Sequence, residues 1–140
     1  MRLLTGILSL VLLGCGAKIP QISTDGIESI DVTMYKSDFM GVEKDFNLAI
    51  PKEHWNAILD FTLPNKLTQA GPQELRIGTV KIKYKDKKLV SIDLFWVGKN
   101  PCMVSLDGKH FYYAKNIPGA PDGAVGLIRK VLAVREGKKP

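Results

Sequence analysis

Cysteine and histidine are scarce, with two of each in the chain. Cys15 and Cys102 can close one disulfide at most, which excludes a domain stapled by a disulfide framework. His54 and His110 leave no material for a His-rich metal site. GxSxG, HExxH, the P-loop and the dinucleotide fingerprint are all absent. Asp31, Glu43, Asp45, Asp60 and Asp93 are scattered without a paired spacing, so nothing points to a two-carboxylate hydrolase. No apolar run reaches the roughly 20 residues of a spanning helix. Internal repeats and low-complexity blocks are absent too. No acidic residue precedes Asp25.

What is present is the composition of a single globular domain. The chain has 140 residues, 45% of them apolar and 24% charged, enough for a real core. A net charge of +6 and a pI near 9.3 favour acidic partners: lipid headgroups, polyanions, acidic proteins. Charge of this kind governs attraction and solubility, not activity.

The N-terminus has a pattern of its own. Met1-Arg2 supplies one positive charge, and residues 3–13 are apolar except for Thr5, Gly6 and Ser9. That is the charged n-region and apolar h-region of a secretory signal. Leu12-Leu13-Gly14-Cys15 then resembles the lipobox of bacterial lipoproteins, a resemblance confined to residues 1–15. It implies a diacylglyceryl group on the Cys15 sulfur, cleavage between Gly14 and Cys15, and in many bacteria a final acylation of the new amino group. Two or three acyl chains, at about 0.8 kcal/mol per buried methylene, hold a protein stably on a bilayer. Gly16 in place of Asp favours the outer membrane in an organism that has one. The mature chain would be residues 15–140, with the charge reduced to +5 by loss of Arg2. Residues 16–26 (GAKIPQISTDG) read as a tether holding the domain off the membrane.

Residues 27–136 read as one α+β domain. Residues 27–36 alternate, with Ile30, Val32 and Met34 on one side, and residues 45–50 place Phe46, Leu48 and Ile50 at the same period. Pro51 opens a helix over 52–61 that buries Trp55, Ile58 and Leu59. Pro64-Asn65 and Gly71-Pro72 mark a long loop. Two hairpins follow. In the first, a three-residue turn at 86–88 pairs Tyr84 with Val90 and Ile82 with Ile92, which keeps one face apolar. In the second, Asp107-Gly108 forms a two-residue turn that pairs Val104 with Phe111 and Cys102 with Tyr113. A helix spans 124–135 and is ended by Gly137, which opens a frayed tail over 137–140. The expected architecture is an antiparallel sheet of about six strands with two helices packed on one face.

For chemistry, Cys102 reads as a packed thiol. Cys102, Met103 and His110 invite a copper site, but the hairpin register sends Cys102 and Met103 to opposite faces. The stripe Lys81, Lys83, Lys85, extended by Lys87 and Lys88, is a candidate anion-binding surface, weighed against a solvated face that discourages edge pairing. Tyr112 and Met103, side by side, would either extend it as a contact patch or be covered by the second helix. No cofactor, metal or nucleic acid is expected. The expected function is a non-enzymatic envelope lipoprotein, anchored in the bilayer through Cys15, that binds an envelope protein or anionic polymer. A small-ligand carrier or sensor is the alternative, and a hydrolase a third reading.

Overall fold

The computed structural model describes residues 18–68, 76–96, 103–114 and 123–138, except the side chains at 39, 123 and 124. Gly14, Cys15 and Cys102 lie outside the described residues. Among those described, the order is β1 (Ile27–Met34), β2 (Phe46–Ala49), α1 (Trp55–Thr62), β3 (Pro64–Leu67), β4 (Arg76–Tyr84), β5 (Leu89–Phe95), β6 (Met103–Ser105), β7 (Tyr112–Ala114) and α2 (Gly123–Arg135). The strands form one seven-stranded sheet, β2-β1-β4-β5-β6-β7-β3, in which every neighbouring pair is antiparallel. The α+β class is as expected, with seven strands instead of about six. The additional strand is β3, in the stretch where Pro64-Asn65 signals a loop, both being poor strand formers. As an edge strand, β3 tolerates both.

The period-2 pattern produces one apolar face. Ile30 and Val32 of β1 lie opposite Ile82 and Val80 of β4, and these oppose Val90 and Ile92 of β5. Leu94, Val104 and Tyr112 continue the face across β5, β6 and β7. Ile58, Leu59 and Phe61 of α1 join it in the core, with Leu127, Ile128 and Val131 of α2. Full burial of each such side chain contributes about 1.5–3 kcal/mol. In β4 the register slips between Arg76 and Gly78, and Ile77 is buried in the same core.

Helix ends follow local chemistry. After Pro51 the chain makes a 3-10 turn, Lys52–His54, before α1 begins. The Trp55 indole N–H donates to the Ile50 carbonyl at 2.8 Å, which leaves Trp55 half-buried, not buried as expected. At the end of α2, Gly137 adopts φ +69. Its N–H reaches the Val134 carbonyl at 3.1 Å, and the Lys138 N–H reaches Ala133 at 2.8 Å. This paired pattern caps the helix. Gly137 therefore ends α2 as expected, and Lys138, expected in the frayed tail, takes part in the cap.

Both hairpin registers differ from expectation. In the first, Ile82 opposes Val90 and Val80 opposes Ile92. The turn lies one residue earlier, on Lys85, Asp86 and Lys87, and each partner shifts by two. A slip of two preserves faces, so the buried set is unchanged. In the second, Val104 opposes Tyr112 and Met103 opposes Tyr113. This is a slip of one, which exchanges the faces. Tyr112 joins the core in place of Phe111, and Met103 is buried as well. Of the two expectations for Tyr112 and Met103, the exposed patch is excluded: neither side chain is available at the surface.

Candidate functional site

The expected anion stripe separates into three environments. Lys81, on the sheet face away from the helices, lies directly across from Asp31 and Ser91. Lys83 places its Nζ 3.1 Å from Glu28 Oε2, an exposed ion pair. Such pairs contribute little to stability but do occupy the charge. Lys85 belongs to the turn, together with Lys87 and Lys88. A continuous cationic strand face is therefore not formed, because Asp31 and Glu28 of β1 answer it.

The turn itself is well defined. The Lys87 N–H donates to the Tyr84 carbonyl and the Tyr84 N–H to the Lys88 carbonyl, both at 2.9 Å. Asp86 Oδ1 accepts the Lys88 N–H at 3.0 Å. Lys87 has φ 69, the left-handed position of a three-residue hairpin loop where glycine is usual. Next to it, Leu89 is 60% exposed. The N-terminal segment lies against the same hairpin. The Tyr84 hydroxyl donates to the Ser23 carbonyl at 2.7 Å, and the Lys85 N–H to Gly26 at 2.9 Å. Burial, and secondarily the Asp86 charge, raise the Tyr84 phenol above its usual range. Ile19 and Ile22 pack against the core. The stretch expected to be a free tether is docked from Ile19 onward.

A second polar group lies on the far side of the sheet. The Arg76 guanidinium pairs with Asp93 and donates to Thr79 Oγ1 at 3.0 Å. Thr79 donates to Asp93 at 3.1 Å, and Tyr35 Oη is 3.2 Å from Thr79. Arg76 also stacks 5.3 Å from the Tyr35 ring centroid. Every member has a partner inside the group, so it joins β4, β5 and the residue after β1, and presents no unanswered charge.

The β6–β7 loop holds a His–Asp pair that sequence spacing did not suggest. His110 Nδ1 is 2.6 Å from Asp107 Oδ2, and Asp107 Oδ1 accepts the Lys109 and His110 N–H groups at 2.8 Å each. The His110 amide first, then its ring, then the Lys109 amide hold the Asp107 carboxyl well below the usual carboxylate range. The Ser105 hydroxyl faces Asp107 at 3.5 Å and accepts the Gly108 N–H at 2.9 Å. Among the described residues no hydroxyl or thiol meets the His110 ring. The arrangement is that of a folded loop, without the nucleophile–base contact of covalent catalysis. No group of three or more His, Cys, Asp or Glu among the described residues could hold a metal ion.

A cleft of about 230 Å³ lies between Met40, Trp96 and the α2 residues Val125, Ile128, Arg129 and Leu132. It is smaller than the roughly 300–1,000 Å³ usual for small-molecule sites. His54 lines a different hollow of about 340 Å³ with Glu53, Val134 and Lys138. Among the described residues no helix is long and apolar enough to cross a membrane. No protein-family model, curated protein or solved structure matches this chain.

Proposed function

We propose that this chain is a bacterial envelope lipoprotein, anchored through an acylated Cys15, whose α+β domain binds a protein or anionic envelope polymer without catalysing a reaction. The observation that carries the reading is the run from Met1-Arg2 through the apolar residues 3–13 to Leu12-Leu13-Gly14-Cys15. Two features support the non-enzymatic part. His110 and Asp107 are committed to loop structure. The Arg76–Thr79–Asp93 group is internally satisfied.

Intact mass of the membrane-extracted protein, beside a Cys15→Ser variant, tests the anchor. The expected result is loss of residues 1–14 plus a diacylglyceryl and acyl increment, both abolished by the substitution. An unmodified full-length mass overturns the reading. A cleaved but unacylated mass replaces it with a freely soluble exported domain. The carrier reading draws on the cleft beside α2. Trp96 lines that cleft, so a lipophilic ligand seated there would change tryptophan emission.

A further inference from the structure

We propose that the β4–β5 turn, with Lys85, Lys87, Lys88 and the adjoining Leu89, is a contact surface for the anionic headgroups of a bilayer. The proposal rests on the anchored reading above and adds the orientation of the domain. Three observations carry it.

The first is composition in space. Lys85, Lys87 and Lys88 are exposed within four residues of Leu89, which is 60% exposed at the start of β5 and lies across from Lys83. An apolar side chain framed by long cations suits the boundary between acyl chains and phosphates, where lysine stems lie along the apolar layer and the ammonium reaches the headgroups. Asp86 is the one carboxylate in the turn itself, and one of its oxygens accepts the Lys88 amide. Asp25 lies beside Gly26 on the segment docked against the turn.

The second is backbone. Lys87 occupies a left-handed position in which glycine would be free of strain. A side chain held there at an energetic cost is a reason to look for its use. The turn backbone is hydrogen-bonded at Tyr84, Lys87 and Lys88, so the lysines project from a formed loop.

The third is position. Residues 23 and 26 hydrogen-bond to this same hairpin, through Tyr84 and Lys85. Docking begins at Ile19, and from Cys15 to Ile19 an extended chain reaches about 14 Å at most. The register places the turn at the end of the sheet where β1 begins, so Ser23, Gly26 and the lysines share one end of the domain. Lys36 and Lys44 flank the other end, after β1 and before β2.

The test uses the mature chain, residues 15–140, with Cys15→Ser so that no acyl chain contributes to binding. Vesicles of phosphatidylglycerol in phosphatidylcholine are compared with phosphatidylcholine alone at about 0.1 M salt, where the Debye length is about 10 Å. The chain is expected to sediment with the first and not the second. Lys85→Gln, Lys87→Gln and Lys88→Gln together should lower partitioning about 100-fold, roughly fivefold per lysine. Leu89→Ser should weaken it further. Lys36→Gln with Lys44→Gln should leave it within about threefold, each charge being distant from the surface by more than a Debye length. Absence of binding to anionic vesicles overturns the proposal, as does a triple variant that binds like its parent or an end-to-end control that loses as much. Equal binding to soluble polyphosphate, with Leu89→Ser silent, overturns the lipid assignment in favour of a free polyanion. Because no acyl chain is present, failure here leaves the mass measurement of Cys15 untouched, and failure there leaves this one.

Discussion

At Gly78 the neighbouring backbone is so close that a Cβ would lie 2.4 Å from the Thr33 carbonyl oxygen. The residue permits β1 and β4 to approach where the register slips and Ile77 enters the core. Gly78→Ala is expected to destabilise the domain by about 3 kcal/mol, since a backbone atom cannot yield as a side chain would. Chemical denaturation checks this, and a loss under 1 kcal/mol would show that the strands can separate locally without penalty. Asp107 makes a second residue-scale prediction. Its carboxyl is held low by the His110 amide and ring and the Lys109 amide. A lowered native value means that the contribution to stability is complete above about pH 4 and is lost only as pH falls through the native value. The loop should therefore be indifferent to pH between 5 and 8 on account of Asp107. A carbon-detected titration should find this carboxyl ionised at pH 3.5, and a midpoint near 4 would remove the loop-ordering role.

At the scale of elements, patterning decides faces more firmly than partners. Ile30, Val32, Ile82, Ile92 and Leu94 were legible as core because alternation reports parity, and all are buried. The first hairpin kept that parity although its turn formed on Lys85, Asp86 and Lys87. In the second hairpin Asp107-Gly108 signals a two-residue turn, but the Asp107 carboxylate instead gathers the Lys109 and His110 amides into a longer loop. The pairing moves by one residue, and Tyr112 displaces Phe111 from the core. β3 was illegible for a different reason: its partner β7 is remote in sequence, and edge pairing needs little of the strand's own propensity. Of the candidate site, the lysines were visible as residues, while the acids that answer Lys81 and Lys83 belong to a strand far along the chain. Docking of residues 18–26 was invisible because two isoleucines in a polar stretch show no period. Tyr84→Phe tests that docking. It removes the hydroxyl donated to Ser23, at a cost of about 1 kcal/mol. Hydrogen exchange should show the Lys85 amide, which bonds to Gly26, less protected while strand β4 stays unchanged. The raised phenol value gives the sign with pH: this contact is intact below the ordinary tyrosine range and fades as pH rises through the native value.

At the scale of the whole molecule, one apolar sheet face covered by two helices leaves the second face, its turns and its N-terminal segment to meet the surroundings. α1 and α2 touch each other, and the C-terminal Arg135 guanidinium sits 4.3 Å from the Phe46 ring centroid in the edge strand β2. The last helix thus reaches back to an early strand, and an anchored domain would present its lysine-rich turn and its docked N-terminus on one side. The placement of β3 has a consequence for how the chain assembles. β3 precedes β4 in the chain but lies at the edge of the sheet away from β2, and among the described residues it pairs only with β7. A chain emerging from its N-terminus can close β1 with β2 and then zip β4 and β5 as local hairpins. Residues 64–67 must wait until residue 114 has appeared. Completion of the sheet is therefore a late, long-range event, the slow kind of closure, and a chain halted before β7 holds β3 and β6 as bare edges open to other chains.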